Sequence, residues 1–120
     1  MSEQTLYERL GGAAGIAAIT EDIWSNHTSN PLVKNRYINS DAENVKRLVR
    51  EMFGAGTGGP ETYSGQDMLT AHTGMNINDQ EFNAVIDDVM KALGSNNVGE
   101  KEHNEVLAIL WSMKNEIVGV

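Results

Sequence analysis

The stretch DMLTAHTGMNINDQEF, residues 67–82, places a histidine at the end of a short apolar segment, just before a break. His72 has the apolar neighbours Met68, Leu69 and Ala71, and Gly74 follows it. Further on, NDQE at 78–81 has the spacing of a capping box, which predicts the start of a new helix. An imidazole in this position is either hydrogen-bonded within the core or bonded to a group that the sequence does not show.

Capping motifs and apolar periodicity predict helices on the N-terminal side of this stretch. Thr5 and Glu8 form a capping box, and the short helix that they open should end at Gly11-Gly12. A second helix is predicted over about residues 13–26, and a third should open at the capping box SDAE, residues 40–43. The apolar faces of these two helices would carry Ile16, Ile19, Ile23 and Trp24, and then Val45, Leu48, Val49, Met52 and Phe53.

Two further helices are predicted on the C-terminal side. One follows the capping box at 78–81, and GSNNVG at 94–99 should end it. The last helix presents an apolar stripe that includes Val106 and Leu110. Because no segment alternates as a strand does, we predict an all-α fold with antiparallel neighbouring helices.

Size and composition limit the classes of protein to consider. The 120 residues predict one domain over residues 1–120, large enough to bury a core without disulfides. There is no cysteine, no apolar run of about 20 residues, and the N-terminus is polar, so we expect a cytoplasmic protein without a membrane span. The net charge of −8 argues against a nucleic-acid partner.

The other motifs point to no familiar enzyme site. The segment GAGTGGPETYSG, residues 54–65, contains five glycines, but no Gly-Lys-Ser/Thr follows as in a phosphate loop. The histidines do not have zincin spacing, and no serine lies in a nucleophile elbow. His103 lies among charges on a helix face, and His27 should favour the C-terminal dipole of the second helix.

The residue types needed for a haem site are all present. A haem needs one axial imidazole, an apolar slot with bulky walls, and cations near its propionates. His72 offers the imidazole, and Lys46, Arg47 and Arg50 form the nearest basic cluster. Met52 and Phe53 on one helix, and Phe82 and Val85 on another, would supply the walls, although such stripes more often belong to a plain core.

Three segments together resemble a known family. LYERLGG at 6–12, GGPETYSGQDMLTAH at 58–72, and Phe82 ten residues past His72 resemble the truncated haemoglobins of group I. Met68 four residues before the histidine and Ile77 five before Phe82 add to the match, which covers nearly the whole chain.

The resemblance implies a two-over-two globin around haem b, with His72 as the proximal ligand of a pentacoordinate iron. The glycines 58, 59 and 65 would let a loop replace most of one helix. With the walls described above, the predicted haem contacts are Met52, Phe53, Met68, Ile77, Phe82, Val85 and Tyr63, and Lys46 and Arg50 would lie near the propionates.

The ligand side departs from the family pattern. The usual distal tyrosine matches Trp24, and the usual phenylalanine beside the haem matches Tyr37. Positions where relatives carry glutamine, histidine or lysine match Val45, Leu48 and Val49. With Trp24 and Tyr37 as the available donors, we expect weaker polar stabilisation of dioxygen and faster release, and no iron ligation by a histidine at these positions.

The resemblance implies reversible binding of dioxygen, nitric oxide and carbon monoxide, with oxygen carriage or storage as the leading function. An enzymatic alternative is oxidation of nitric oxide to nitrate, for which a partner reductase restores the ferrous iron. A third alternative is a cofactor-free helical interaction module, in which His72 is a packed imidazole and the protein is colourless.

Overall fold

The computed structural model describes residues 4–120, and six α-helices form its framework. They are α1 (Leu6–Arg9), α2 (Gly12–Ser29), α3 (Ala42–Gly56), α4 (Met68–His72), α5 (Asp79–Ser95) and α6 (Glu100–Ser112). Two 3-10 turns, Lys34–Tyr37 and Lys114–Glu116, follow α2 and α6. The predicted all-α class is therefore confirmed; residues 1–3 of the predicted domain lie outside the described part.

The helix starts follow their caps closely, with one correction. Thr5 and Asn78 form the predicted capping boxes of α1 and α5. The predicted SDAE box is wrong, because Asp41, not Ser40, caps α3 by accepting hydrogen bonds from the amides of Glu43 and Asn44. A carboxylate one residue closer to the helix satisfies the same free amides.

α2 runs through the middle of the fold. It packs against both α3 and α5, and α5 packs against α6, so the pair α2 and α3 lies against the pair α5 and α6. The contacts between them bury one continuous apolar cluster, whose members include Ile19, Phe53, Phe82, Leu93 and Val106. α2 extends three residues beyond the predicted end, to Ser29, so His27 lies within its last turn.

The segment between α3 and α4 has no regular helix, and contacts with the N-terminus hold it in place. The amide of Tyr7 donates to the carbonyl of Thr57 over 2.8 Å, and the Tyr7 hydroxyl donates to Glu61 over 3.0 Å. Gly59 lies so close to the Tyr7 ring that a Cβ there would come within 2.4 Å of it. This contact explains why a glycine-rich loop and an N-terminal tyrosine occur together in the sequence.

The C-terminus holds the segment that follows α4. Ile77 pairs with Val118 in an isolated parallel bridge, and the amide of Gly119 donates to the carbonyl of Ile77 over 2.9 Å. The amide of Gly74 donates to the carbonyl of Val120. α4 has only five residues, so these contacts with its flanking segment help to fix where His72 lies.

No helix within residues 4–120 has both the length and the apolar character needed to cross a membrane.

Candidate functional site

A cavity with a volume of about 340 Å³ lies between α2, α3, α4 and α5. That volume is typical of a site for a small molecule or cofactor. Apolar side chains form most of the wall: Ile23, Val33, Val45, Val49, Met52, Phe53, Met68, Met75, Ile77, Phe82, Val85, Ile86, Val89, Leu110, Met113 and Ile117. The polar side chains in the wall are His27, Arg36, Tyr37, Ser40, His72 and Glu81.

His72 lies at the end of α4 and is half-buried in the wall of this cavity. Its Nδ1 atom lies 2.7 Å from the carbonyl oxygen of Met68, one helical turn earlier. A carbonyl can only accept a hydrogen bond, so Nδ1 carries a proton. The Nε2 atom of the neutral ring then has a free lone pair, which is the form in which imidazole binds a metal.

The structure brings most of the predicted site residues to this cavity. Met52, Phe53, Met68, Ile77, Phe82 and Val85 line it, as do Tyr37, Val45 and Val49 from the predicted ligand side. These residues come from α3, α4, α5, the turn Lys34–Tyr37 and the segment before α5, and all of these meet at the cavity.

Five predicted residues do not line the cavity: Trp24, Leu48, Lys46, Arg50 and Tyr63. Trp24 packs edge-to-face against the Tyr37 ring, with 5.6 Å between ring centroids. Lys46 forms an ion pair of 3.0 Å with Glu21 and a longer one with Glu43, and the Tyr63 hydroxyl donates to the carbonyl of Gln66.

A second histidine lines the same cavity. His27 is only 7% exposed, and its Nδ1 atom lies 2.7 Å from Oδ2 of Asp88, which is 8% exposed. The Asn30 amide donates to both carboxylate oxygens of Asp88, and the Asn26 amide donates to the Asp88 carbonyl. Burial lowers the pKa of His27, although the bond to Asp88 acts in the opposite direction, so the ring is neutral at neutral pH.

The His27 ring also stacks on Tyr37, with 5.4 Å between ring centroids and 11° between ring planes. Burial, followed by the charge of Asp88, raises the pKa of the Tyr37 hydroxyl, so it stays protonated and can donate a hydrogen bond. Tyr37 on the 3-10 turn thus contacts both Trp24 and His27 of α2, and His27 contacts Asp88 of α5.

From the sequence, His27 was predicted only to favour the C-terminal dipole of α2, and its contact with Asp88 was not predicted. The two side chains are 61 residues apart, so spacing gives no sign of the contact. A weaker signal did exist on α5, because Asp88 shares a buried face with Ala84 and Ala92, four residues away on each side. A carboxylate on a buried face requires a partner.

Arg36 was also missed. It forms a bidentate ion pair with Glu81 on α5 and donates to the carbonyl of Met75 over 3.1 Å. The guanidinium lowers the pKa of Glu81. Arg36 therefore connects the turn before α3 to α5 through Glu81, and to the segment after His72 through Met75, and both Arg36 and Glu81 line the cavity.

Apolar walls, an imidazole with a free Nε2 and a cavity between packed helices are what a globin offers to haem. The match to a model of the bacterial-like globins spans residues 5–118, and the chain belongs to that family. Globins bind haem iron, so the predicted cofactor agrees with the family.

Comparisons with individual proteins show which globins this chain resembles. The group 1 truncated haemoglobin of Tetrahymena pyriformis is 27% identical over 116 residues, covering 97% of this chain and 96% of the relative. The crystal structure of the truncated haemoglobin of that organism in its Fe(III) form superposes with a TM-score of 0.94 at 26% identity, covering 98% of this chain and all of that one. The predicted resemblance to group I and the two-over-two fold are confirmed.

A more distant structure shares the fold alone. The group II truncated haemoglobin of Bacillus anthracis superposes with a TM-score of 0.89 at 18% identity, over all of this chain and 95% of that one.

Proposed function

We propose that this chain binds haem b through His72 and binds dioxygen and other diatomic gases reversibly on the opposite face of the haem. The observation that carries the proposal is the geometry of His72. The ring lines the cavity, and the carbonyl of Met68 holds the proton on Nδ1. Such a bond to a backbone carbonyl fixes the orientation and tautomer of a metal-binding histidine.

The walls support the same assignment. Phe53 and Phe82 are 7% and 5% exposed and face a cavity whose lining is mostly apolar. Apolar walls favour the porphyrin ring by burying its surface, and they keep water away from the ligand side. When bound, haem iron supplies an open coordination position at which small diatomic molecules bind.

Tyr37 is the side chain best placed to donate a hydrogen bond to a gas ligand. It lines the cavity, and its hydroxyl stays protonated. Trp24 packs at a steep angle against the Tyr37 ring and does not line the cavity, so it would act on the ligand through Tyr37 or after a side-chain movement. Val45 and Val49 add apolar surface, so polar stabilisation of dioxygen depends mainly on one phenol.

Lys46 and Arg50 are proposed to interact with the haem propionates. Lys46 is already paired with Glu21 and Glu43, so a propionate would compete with carboxylates for the same ammonium group. The contribution of Lys46 to haem affinity should therefore be small and sensitive to salt.

The test is an absorption spectrum of the ferric, ferrous and carbonmonoxy forms of the wild type, His72→Gly and His103→Gly. His103 is a matched control because its Nδ1 also bonds the carbonyl one turn earlier, that of Gly99, but the ring does not line the cavity. We expect a pentacoordinate ferrous spectrum for the wild type and for His103→Gly. His72→Gly should lose it and regain it when free imidazole is added.

A wild-type chain that stays colourless after haemin addition would refute the proposal and favour the cofactor-free helical module. Unchanged spectra in His72→Gly would show that another side chain holds the iron.

Oxygen carriage and oxidation of nitric oxide would use the same cavity, and we propose carriage or storage as the function. A stopped-flow experiment distinguishes the two functions. The ferrous protein is first equilibrated with dioxygen and then mixed with nitric oxide. Rapid production of nitrate, together with a reductase that restores the ferrous protein, would favour the dioxygenase instead.

A further inference from the structure

The cavity contains a histidine that reversible gas binding does not require. His27 lines the wall, is nearly fully buried, and keeps its Nδ1 atom on the Asp88 carboxylate at 2.7 Å. Because a carboxylate accepts the hydrogen bond, Nδ1 carries the proton and Nε2 of the neutral ring is a proton acceptor. Dioxygen and carbon monoxide have no proton to give to such a group.

Two contacts hold this ring in place, and a third fixes one of its partners. Asp88 binds one edge, Tyr37 stacks on one face, and Asn30 fixes the carboxylate through both of its oxygens. The charged or titratable neighbours are Asp88 on α5, and Tyr37 and Arg36 on the turn Lys34–Tyr37, with Arg36 paired to Glu81. The side chains that α3 contributes to the cavity are apolar.

We propose that the His27–Asp88 pair is a proton-accepting group of the ligand cavity, and that it favours weak acids that bind the haem iron as anions. Hydrogen sulfide and hydrogen cyanide belong to this class. The proposal rests on the proposed haem binding. The acid H–X enters neutral, its proton passes to Nε2 of His27 directly or through a water molecule, and X⁻ stays at the ligand position. Asp88 remains a carboxylate and stabilises the imidazolium that forms.

The balance of charge supports the step. Burial keeps His27 neutral before the ligand arrives, and the adjacent carboxylate offsets the positive charge that proton transfer creates. A carboxylate that orients an imidazole and stabilises its cation is a well-established arrangement for proton transfer.

The test compares cyanide association with the ferric protein against carbon monoxide association with the ferrous protein. The variants are His27→Gln and Asp88→Asn, with His103→Gln as the control histidine outside the cavity. We expect His27→Gln to slow cyanide binding at least about tenfold, since positioned acid–base groups contribute that much or more. Carbon monoxide, which releases no proton, should bind within about twofold of the wild-type rate.

A second measurement does not depend on ligand kinetics. Long-range nitrogen–proton NMR spectra of the carbonmonoxy protein should show His27 with its proton on Nδ1 and none on Nε2 at neutral pH. In Asp88→Asn the pKa of His27 should fall further, because the charge that favours the imidazolium is lost.

Either of two results overturns the proposal. Equal slowing of cyanide and carbon monoxide in His27→Gln would mean that the residue only shapes the cavity, and an unchanged cyanide rate would mean that it takes no proton. Failure of haem binding itself would appear as a missing Soret band in the wild type, which distinguishes it from both.

Discussion

The two histidines of the cavity differ in what holds them. His72 lies on a five-residue helix between a loop and a turn, is half-buried, and bonds a backbone carbonyl. His27 lies on the 18-residue helix α2, is buried, and bonds the Asp88 carboxylate, which also accepts hydrogen bonds from Asn30. The Nδ1 atom of each ring bonds an acceptor, which leaves Nε2 as the basic nitrogen of the neutral imidazole, so the tautomer alone does not decide which ring binds iron.

The surroundings make the difference. Displacing the His27 ring would break its bond to Asp88 and its stacking on Tyr37, which would leave a buried carboxylate with fewer partners. His72 lies on a helix of five residues and has the Met68 carbonyl as its hydrogen-bond partner, so a movement of its ring leaves no buried charge without a partner. The short helix α4 thus carries His72, the proposed iron ligand, whereas a network of hydrogen bonds and stacking holds His27, the proposed proton acceptor.

The largest expected effect on folding lies on the His27 side. Asp88→Ala should lower the free energy of unfolding by about 3 kcal/mol, because it leaves His27 and Asn30 without their buried acceptor. His72→Ala should lower it by less than about 1 kcal/mol when measured without haem, since the ring is half-buried. Urea titration of both apoproteins measures the difference, and equal losses would contradict the contrast.

The pH dependence of stability should come next in size. The pKa of His27 is lowered in the folded protein, so the unfolded chain takes up a proton first as the pH falls below about 6.5. Stability is therefore fully present above that pH and declines below it, by at most about 1.4 kcal/mol per pH unit from this residue. His27→Gln should flatten the decline in urea titrations at several pH values, and His103→Gln should not.

A smaller effect is expected from the aromatic donors. Tyr37→Phe should raise the dioxygen dissociation rate several-fold, because the loss of one hydrogen bond costs about 1 kcal/mol. Trp24→Phe should change the rate less, since Trp24 contacts Tyr37 and does not line the cavity. Flash photolysis or stopped-flow dissociation measures both rates. If neither substitution changes the rate, the account of the ligand side is wrong.

The smallest effect concerns the basic cluster. Lys46→Ala should weaken haem affinity by less than about fivefold, and the effect should vanish at high salt. Lys91→Ala, an exposed lysine on α5, is the matched control. A loss of affinity that persists in high salt would show that Lys46 leaves Glu21 and binds a propionate directly.

Local signals in the sequence predicted much of this structure. The capping residues Thr5 and Asn78 and the apolar stripes of α3 and α5 define their helices without long-range information. The place of His72 in the wall of the cavity agrees with the sequence, because a short apolar segment and two family motifs lie beside it in the chain. Asp41 replaced Ser40 as the cap of α3 because both residue types cap well, and spacing alone did not separate them.

The distant contacts could not be predicted in the same way. His27 meets Asp88, and Arg36 meets Glu81, only after α2 has packed on α5 and the turn Lys34–Tyr37 has reached the segment after His72. Lys46 was predicted near the propionates from its charge, but the sequence held no sign that Glu21 on α2 would pair with it.

A crystal structure of the chain loaded with haem would show which histidine binds the iron. We expect Nε2 of His72 bonded to the iron, with Nδ1 still on the Met68 carbonyl and His27 still paired with Asp88. Iron held by His27, or haem outside the cavity between α2, α3, α4 and α5, would contradict it.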